Sequence, residues 1–423
     1  MIPVRRRWAG FAVAAVLATG ALAGCTDDAG GASTAPPEPR PAASTESAVP
    51  PEIEPQTEPE PTEPEPADPE PARTVSLLVS GDVLLHSGTW DTAQADAARR
   101  SGGGLDFRPM FADVAPVVRE ADLAVCHLET PLAPPGGPFA SYPVFSVPPQ
   151  VAPALRATGY DACTTASNHT IDQGYAGVVR TLRTLDRARI PHDGAARSLG
   201  EARRPLTTKV SGVRLAVLSY TYGTNGIPLP TGQPWSVPLI EPQRIVRDAA
   251  AARRAGAEVV VVALHFGTEY VTAPDAYQLD VVDRITRSSD IDLVYGHHAH
   301  TVQPINRVNG TWVAYGLGNF VAQQESFRPN TYRGATVRFE LAEQPGGGFD
   351  VSDLAYLPTL ITRYDAADPR MRVLDVVAAL ADPATPAALL PELRASLADV
   401  RAAVLSLDAG TVDPDVRVHL LRR

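Results

Sequence analysis

Ile291-Asp292-Leu293-Val294-Tyr295-Gly296-His297-His298-Ala299-His300 is a short apolar run that stops at a glycine and then releases three histidines in four residues. The run has the length and composition of a buried strand, and the histidines fall just past its end. Four other places in the chain repeat the pattern. Residues 75–79 lead into Ser80-Gly81-Asp82 and, four positions on, His86. Residues 123–125 lead into Cys126-His127-Leu128-Glu129, and residues 161–166 into Ser167-Asn168-His169. Residues 259–264 lead into His265-Phe266-Gly267-Thr268-Glu269. Helix-like stretches separate these runs, which predicts a layered α/β domain. In open α/β sheets, sites form outside the carboxyl ends of the strands, so all five segments can converge on one crevice.

Eight of the nine histidines lie between residues 86 and 300. Carboxylates with several imidazoles and no thiolate form a ligand set suited to Mn, Fe, Zn or Mg, not to a structural cysteine zinc site. Six or seven such groups exceed the needs of one ion, so two divalent metal ions sharing a carboxylate are expected. A lone Gly-Asp or Asn-His after a strand reads as a turn, and a lone histidine as a structural one. Recurrence in phase with five strand ends is what sets this set apart.

The motifs Gly81-Asp82-x-x-Leu85-His86, His127-Leu128-Glu129-Thr130-Pro131, Ser167-Asn168-His169-x-x-Asp172-x-Gly174, Leu264-His265-Phe266-Gly267-x-Glu269-Tyr270, Gly296-His297-His298-x-His300 and Tyr315-Gly316-Leu317-Gly318-Asn319-Phe320 occur in that order. As a set they resemble the capsule-synthesis CapA (poly-γ-glutamate) family, itself similar to calcineurin-like metallophosphoesterases. Tyr222-Gly223-Thr224-Asn225-Gly226 also resembles that family's insert before the fourth ligand strand. The resemblance implies a four-layer αββα sandwich of metallophosphoesterase type. It implies Asp82, Glu129, Asn168, His265, His298 and His300 as metal ligands, with Glu129 in the bridging position, and His169 as the acid that protonates a leaving oxygen. His86 joins the set at a spacing from Asp82 that differs from the phosphoesterase one. His127 in place of Asn, Phe266 of Trp, Ala299 of Pro and Gly316 of Ser depart from the family pattern, and none removes a ligand.

Such a site would hydrolyse a phosphoester-type bond, with the ions clamping the substrate's oxygens. Asp172 either orients His169 from one turn away or caps a helix. Glu269 is either a substrate contact or a solvated acid, and His297 either a further ligand or a donor behind one. Asn319 either approaches the metals or belongs to a turn. The family name implies a role in making, exporting or anchoring an anionic surface polymer, alongside capsule-synthesis membrane proteins. A reading from another class is a non-catalytic accessory or polymer-binding subunit whose metal site is structural.

The formal net charge of −11 divides unevenly. Residues 1–25 carry Arg5, Arg6 and Arg7 and contribute +3; residues 26–72 contribute −11; the remaining 351 residues contribute −3. A nearly neutral body without clustered basic charge argues against a nucleic-acid partner. Arg5-Arg6-Arg7, an apolar run to Leu22 and then Ala23-Gly24-Cys25 resemble a bacterial lipoprotein signal peptide, which implies lipidation of Cys25 and an exported protein anchored to membrane lipid on the outer face of the cell. Residues 26–72 hold 13 of the 41 prolines among many acids and form an extended disordered linker. Residues 73–364 are the expected catalytic-type domain. Within it, 303–315 and 333–357 read as strand pairs that complete the second sheet. Residues 365–423 read as a helical C-terminal extension. Cys126 and Cys163 read as small buried hydrophobes, with a disulfide left open because neighbouring strands seldom bridge.

Overall fold

The computed structural model describes residues 72–100, 102–407 and 418–421. Cys25, the signal segment and all but the last residue of the linker lie outside the described residues. The elements run β1 (Thr74–Val83), α1 (Ser87–Arg99), α2 (Ala115–Glu120), β2 (Leu123–Leu128), α3 (Val151–Thr158), β3 (Ala162–Thr164), α4 (Gly174–Arg187), β4 (His192–Asp193), α5 (Leu199–Ala202), β5 (Leu206–Val210) and β6 (Val213–Thr221). They continue with α6 (Pro242–Arg254), β7 (Val259–Phe266), α7 (Ala276–Ile285), β8 (Leu293–His298), β9 (Ile305–Val308), β10 (Thr311–Ala314), β11 (Asn319–Val321), β12 (Arg333–Glu343) and β13 (Phe349–Ile361). The chain closes with β14 (Val373–Asp375), α8 (Val376–Ala381), α9 (Leu390–Val404) and β15 (Val418–Leu420).

Two sheets result. One has the order β14-β13-β12-β1-β2-β3-β4, with β11 on β1 and β15 on β13; the other has the order β5-β6-β7-β8-β10-β9. Strands β1 to β4 are parallel, as are β6, β7, β8 and β10. Side chains of a strand alternate between faces, and here both faces are apolar. Leu77, Val79, Val259, Val261 and Ala263 meet between the sheets. Leu78 faces the helical layer that includes Val118, Leu155, Leu182 and Leu393, while Val260, Val262 and Leu264 face Ile245 of α6 and Val281 and Val282 of α7. The result is the four-layer αββα sandwich expected from the motifs.

Three details differ from the sequence expectation. The two C-terminal strand pairs go to different sheets: β10 extends the second sheet beside β8, whereas β12 pairs antiparallel with β1 in the first. The last segment supplies the expected helices, but it also supplies β14 and β15 to the edge of the first sheet. Met371, Val373 and Val376 are buried there, so this segment completes the core. Cys126 and Cys163 form a disulfide. The reason is register: parallel pairing of β2 with β3 sets the two residues directly opposite, with Cα atoms 4.4 Å apart.

Candidate metal centre

Sheet register assembles the site. At the carboxyl end of β1, Asp82 stands opposite His127 of β2 on one side and Asn319 of β11 on the other. In the second sheet His265 of β7 stands opposite His297 of β8 and Thr221 of β6. The glycines that precede the key residues permit this closeness. A Cβ at Gly81 would stand 2.2 Å from the Gly318 carbonyl oxygen, and one at Gly296 would stand 2.0 Å from that of Tyr315. His298 and His300 adopt φ of 87° and 54°. Such left-handed backbone is costly for non-glycine residues and persists where the surroundings enforce it.

Asp82 is completely buried and fully partnered. Its Oδ1 lies 2.7 Å from His297 Nδ1, and its Oδ2 accepts from the His298 amide at 3.2 Å and faces His300 Nδ1 at 3.2 Å. Burial opposes its charge, yet the donors on His297 and His300 hold the carboxyl well below the usual carboxylate range. Glu129 is its opposite. It is 1% exposed, and neither carboxylate oxygen has a hydrogen-bond partner. Burial, with Asp82, Glu269 and Asp172 nearby, pushes its pKa well up, against the pull of His300. His300 in turn is raised to about 9, since Glu129 and Asp82 overcome its burial.

His127 and His265 belong to a buried chain of polar contacts that ends at Asn168. Burial first, then neighbouring imidazoles, keeps both rings neutral, so each carries one N–H. Thr164 Oγ1 lies 2.9 Å from His127 Nδ1, His127 Nε2 lies 3.0 Å from His265 Nδ1, and His265 Nε2 lies 2.8 Å from Asn168 Oδ1, while Asn168 Nδ2 donates to Asn225 Oδ1 at 3.1 Å. The chain has two proton orders: in one, His265 Nε2–H donates to Asn168; in the other, His265 Nδ1–H donates to His127 and the Nε2 lone pair stands beside Asn168 Oδ1, the order that a cation would select.

The buried Glu129 carboxylate and His298 Nδ1, both without a hydrogen-bond partner, together with the adjoining His265 Nε2 and Asn168 Oδ1, fit a divalent metal site. Three groupings bring ligand atoms within 4.8 Å of one another: Asp82, His127 and His297; Glu269, His298 and His300; Asp82, Glu129 and His300. His169 Nδ1 is bonded to Asp172 Oδ2 at 2.8 Å, and that oxygen also accepts the Phe145 amide at 2.8 Å. Asp172 therefore orients His169. Asn319 sits behind the cluster: its Oδ1 accepts from His300 Nδ1 at 3.0 Å while its Nδ2 donates to the Thr331 carbonyl. His297 backs Asp82, and Glu269 is exposed beside His298 and His300.

His86 stands apart from these groupings. Its Nδ1 accepts from the Gln323 amide at 3.3 Å, its ring meets the Phe145 edge at 5.3 Å, and burial, with His300 and His169 nearby, lowers its pKa to about 4. It lines the rim. His127 and Asn225 were passed over by the sequence reading. The signal for His127 was its place two residues before Glu129 at a strand end, where it was counted only as a departure from Asn.

Residues 76–324 match the family described as bacterial capsule synthesis protein PGA_cap. The chain belongs to this family. Every PGA_cap-segment residue discussed above, from Asp82 to Asn319, lies inside the match. Among relatives, the PGA biosynthesis protein CapA of Bacillus subtilis is 31% identical over 202 residues, covering 47% of this chain and 52% of that protein. A probable polyglutamine synthesis accessory protein of Mycobacterium tuberculosis is 28% identical over 295 residues, covering 59% of this chain and 75% of that one. The chain thus spans about half the length of the first relative. The solved calcineurin-like phosphoesterase YfkN of Bacillus subtilis is 14% identical, with a TM-score of 0.44, covering 78% of this chain and 100% of that chain.

Proposed function

We propose that this protein is a lipid-anchored, cell-surface hydrolase that acts on a phosphoester-type bond in the synthesis, export or anchoring of an anionic capsule polymer. The observation that carries the reading is the buried Glu129 carboxylate without a hydrogen-bond partner, grouped with Asp82 and His300 so that their ligand atoms lie within 4.8 Å of one another. Two divalent ions would be held by Asp82, Glu129, Asn168, His265, His298 and His300, with Glu129 shared between them. When bound, such ions supply charge neutralisation for substrate oxygens and acidify water.

The chain's own residues do the rest. With an ion bound, His127 Nε2 would accept from His265 Nδ1 and leave the His265 Nε2 lone pair to the metal. His297 and Asn319 orient Asp82 and His300. His169 holds its Nδ1 proton toward Asp172, and Nε2 delivers a proton to the leaving oxygen. Asp172 stabilises the imidazolium that this cycle requires. Glu269, exposed at the rim, meets the substrate.

The arginine-rich start, the apolar run and Leu22-Ala23-Gly24-Cys25 support anchoring through Cys25 to membrane lipid, with residues 26–72 as a spacer. The relatives' names, a PGA biosynthesis protein and a probable polyglutamine synthesis accessory protein, support a role in polymer synthesis; capsule-synthesis membrane proteins as partners and an anionic polymer or its lipid-linked precursor as substrate complete the proposal. The test is metal analysis of the purified full chain together with turnover of generic phosphoester and γ-glutamyl substrates, before and after chelation. Bound metal with chelator-sensitive turnover is expected. Full activity after complete metal removal would sink the mechanism, and bound metal with no turnover would assign an accessory role.

A further inference from the structure

A cavity of about 680 Å³ opens where the edge of the first sheet approaches the edge of the second, among β4, α5, β6 and the start of α6. It is separate from the metal cluster in lining but shares a turn with it. The Thr165 amide donates to the Asp193 carbonyl at 2.9 Å, and the Ala195 amide donates to Thr165 Oγ1 at 3.0 Å. Asn168 lies three residues beyond Thr165. The cavity exists because β5 is short: its first residue, Leu206, already pairs with Val217, so the rest of β6 has no strand beside it there. Asp193 caps the gap, accepting from the Leu206 amide at 3.1 Å and the Ser219 amide at 2.7 Å.

Donors dominate the free groups of this lining. Arg203 and Arg204 stand on one wall, and Arg244 and Arg247 stand on the other, one helical turn apart on α6. Ser219 is 2% exposed and its Oγ has no partner; the Trp235 Nε1 donor is buried and also has none. The acids of the lining are already engaged. Glu201 pairs with Arg197, Asp248 takes Tyr220 Oη at 2.9 Å and Arg244 Nε at 3.4 Å, and Asp193 takes backbone amides. Arg203, Arg204 and Arg247 are exposed and have no acidic partner among the described residues. One phosphate would engage one or two of these guanidiniums. Spacing on two walls suits several anions carried on one extended chain.

We propose that this groove is a second binding site, which holds an extended chain bearing repeated carboxylates. The choice of carboxylate rests on the polymer reading above; the groove itself does not depend on the metal or on hydrolysis. The test uses the full chain in chelator and a fluorescently labelled glutamate decamer, followed by anisotropy at low salt. Binding is expected that weakens as salt is raised. The triple exchange Arg203→Ser, Arg204→Ser, Arg247→Ser is expected to weaken it about tenfold or more, and Arg247→Gln alone to weaken it less in the same direction. Metal content of both variants should equal that of the unaltered chain. Equal decamer binding by the triple variant, or none by the unaltered chain, would overturn the proposal. Equally tight, equally arginine-dependent binding of a polyphosphate of the same charge would overturn the carboxylate assignment. Groove binding without turnover of any substrate on metal-loaded protein would defeat the hydrolase reading and leave the groove standing.

Discussion

Asp82 and Glu129 are two carboxylates at the ends of neighbouring parallel strands, both buried, and they live in opposite surroundings. Around Asp82 the protein has already supplied the positive side: two imidazoles and a backbone amide. Around Glu129 it has supplied no hydrogen-bond donor, only the nearby charge of the His300 imidazole. Burying an unpaired carboxylate costs several kcal/mol, and a fold tolerates that where something absent from the polypeptide offsets it. The contrast separates a carboxylate that the protein positions for itself from one that it leaves for a cation.

The strongest way to break this contrast is to neutralise each acid in turn. Glu129→Gln should raise the melting temperature of metal-stripped protein while lowering metal affinity by more than about 100-fold, beyond the usual loss for an outer-shell partner. Asp82→Asn should instead destabilise the stripped protein by about 3–5 kcal/mol, because it removes the negative charge facing His300 and sets an amide NH2 where one oxygen accepts from the His298 amide. Calorimetry and metal analysis on both variants decide it; a lower melting temperature for stripped Glu129→Gln would show that its carboxylate has a protein partner after all.

A somewhat smaller effect sharpens the boundary between holding and reacting. His169→Gln should leave metal content unchanged and reduce turnover about 10²- to 10⁴-fold, as expected for loss of a general acid. Asp172→Asn should give part of that loss, since it removes the negative charge beside His169 Nδ1 while keeping an acceptor oxygen. Metal loss in either variant would move His169 from the proton-transfer role to the ligand set.

The disulfide tests whether the two acids are held independently. It ties β2, which leads to Glu129, to β3, which leads to Asn168, and it does not touch β1. Replacing Cys126 and Cys163 together by Ala should cost about 3 kcal/mol of stability. It should weaken metal binding through Glu129 and Asn168, read by metal titration, with Asp82 still held by the second sheet. Unchanged metal affinity would mean that the sheet ladder alone sets the position of Glu129.

Much of this was legible in the sequence because strand ends are local. An apolar run followed by Gly-Asp or Gly-His-His marks both the strand and the residues it delivers, while the choice of six ligands among them is what the family resemblance implies. What stayed hidden depends on lateral pairing. Nothing near residues 333–361 says that β12 pairs with β1 and not with β10, and nothing near Cys126 says that its neighbour in the sheet is Cys163. His127 escaped because its role is set by partners 37 and 138 residues away, Thr164 and His265. The arginine groove escaped for the same reason: Arg203 and Arg247 face one cavity from opposite walls only because β5 begins late.

Asp193 extends the comparison to a third buried carboxyl, partnered like Asp82 but by neutral backbone amides. Burial pushes its pKa from an ordinary 3.8 up to about 7, although the amides of Leu206, Ser219 and Gly194 pull the other way. Between those two values the folded protein keeps a proton that the unfolded chain has released. Stability attributable to Asp193 therefore falls as pH rises from about 4 through about 7. Asp193→Asn removes that dependence. It also places an amide NH2 against the Ser219 N–H, which adds a constant penalty at every pH. The readout is therefore the slope: the melting temperature of the variant, relative to the unaltered protein, should improve from pH 4 to about pH 7 and level off above it. A difference independent of pH would show that neutral amides suffice to keep this carboxylate charged, and that Glu129 differs from it in geometry alone.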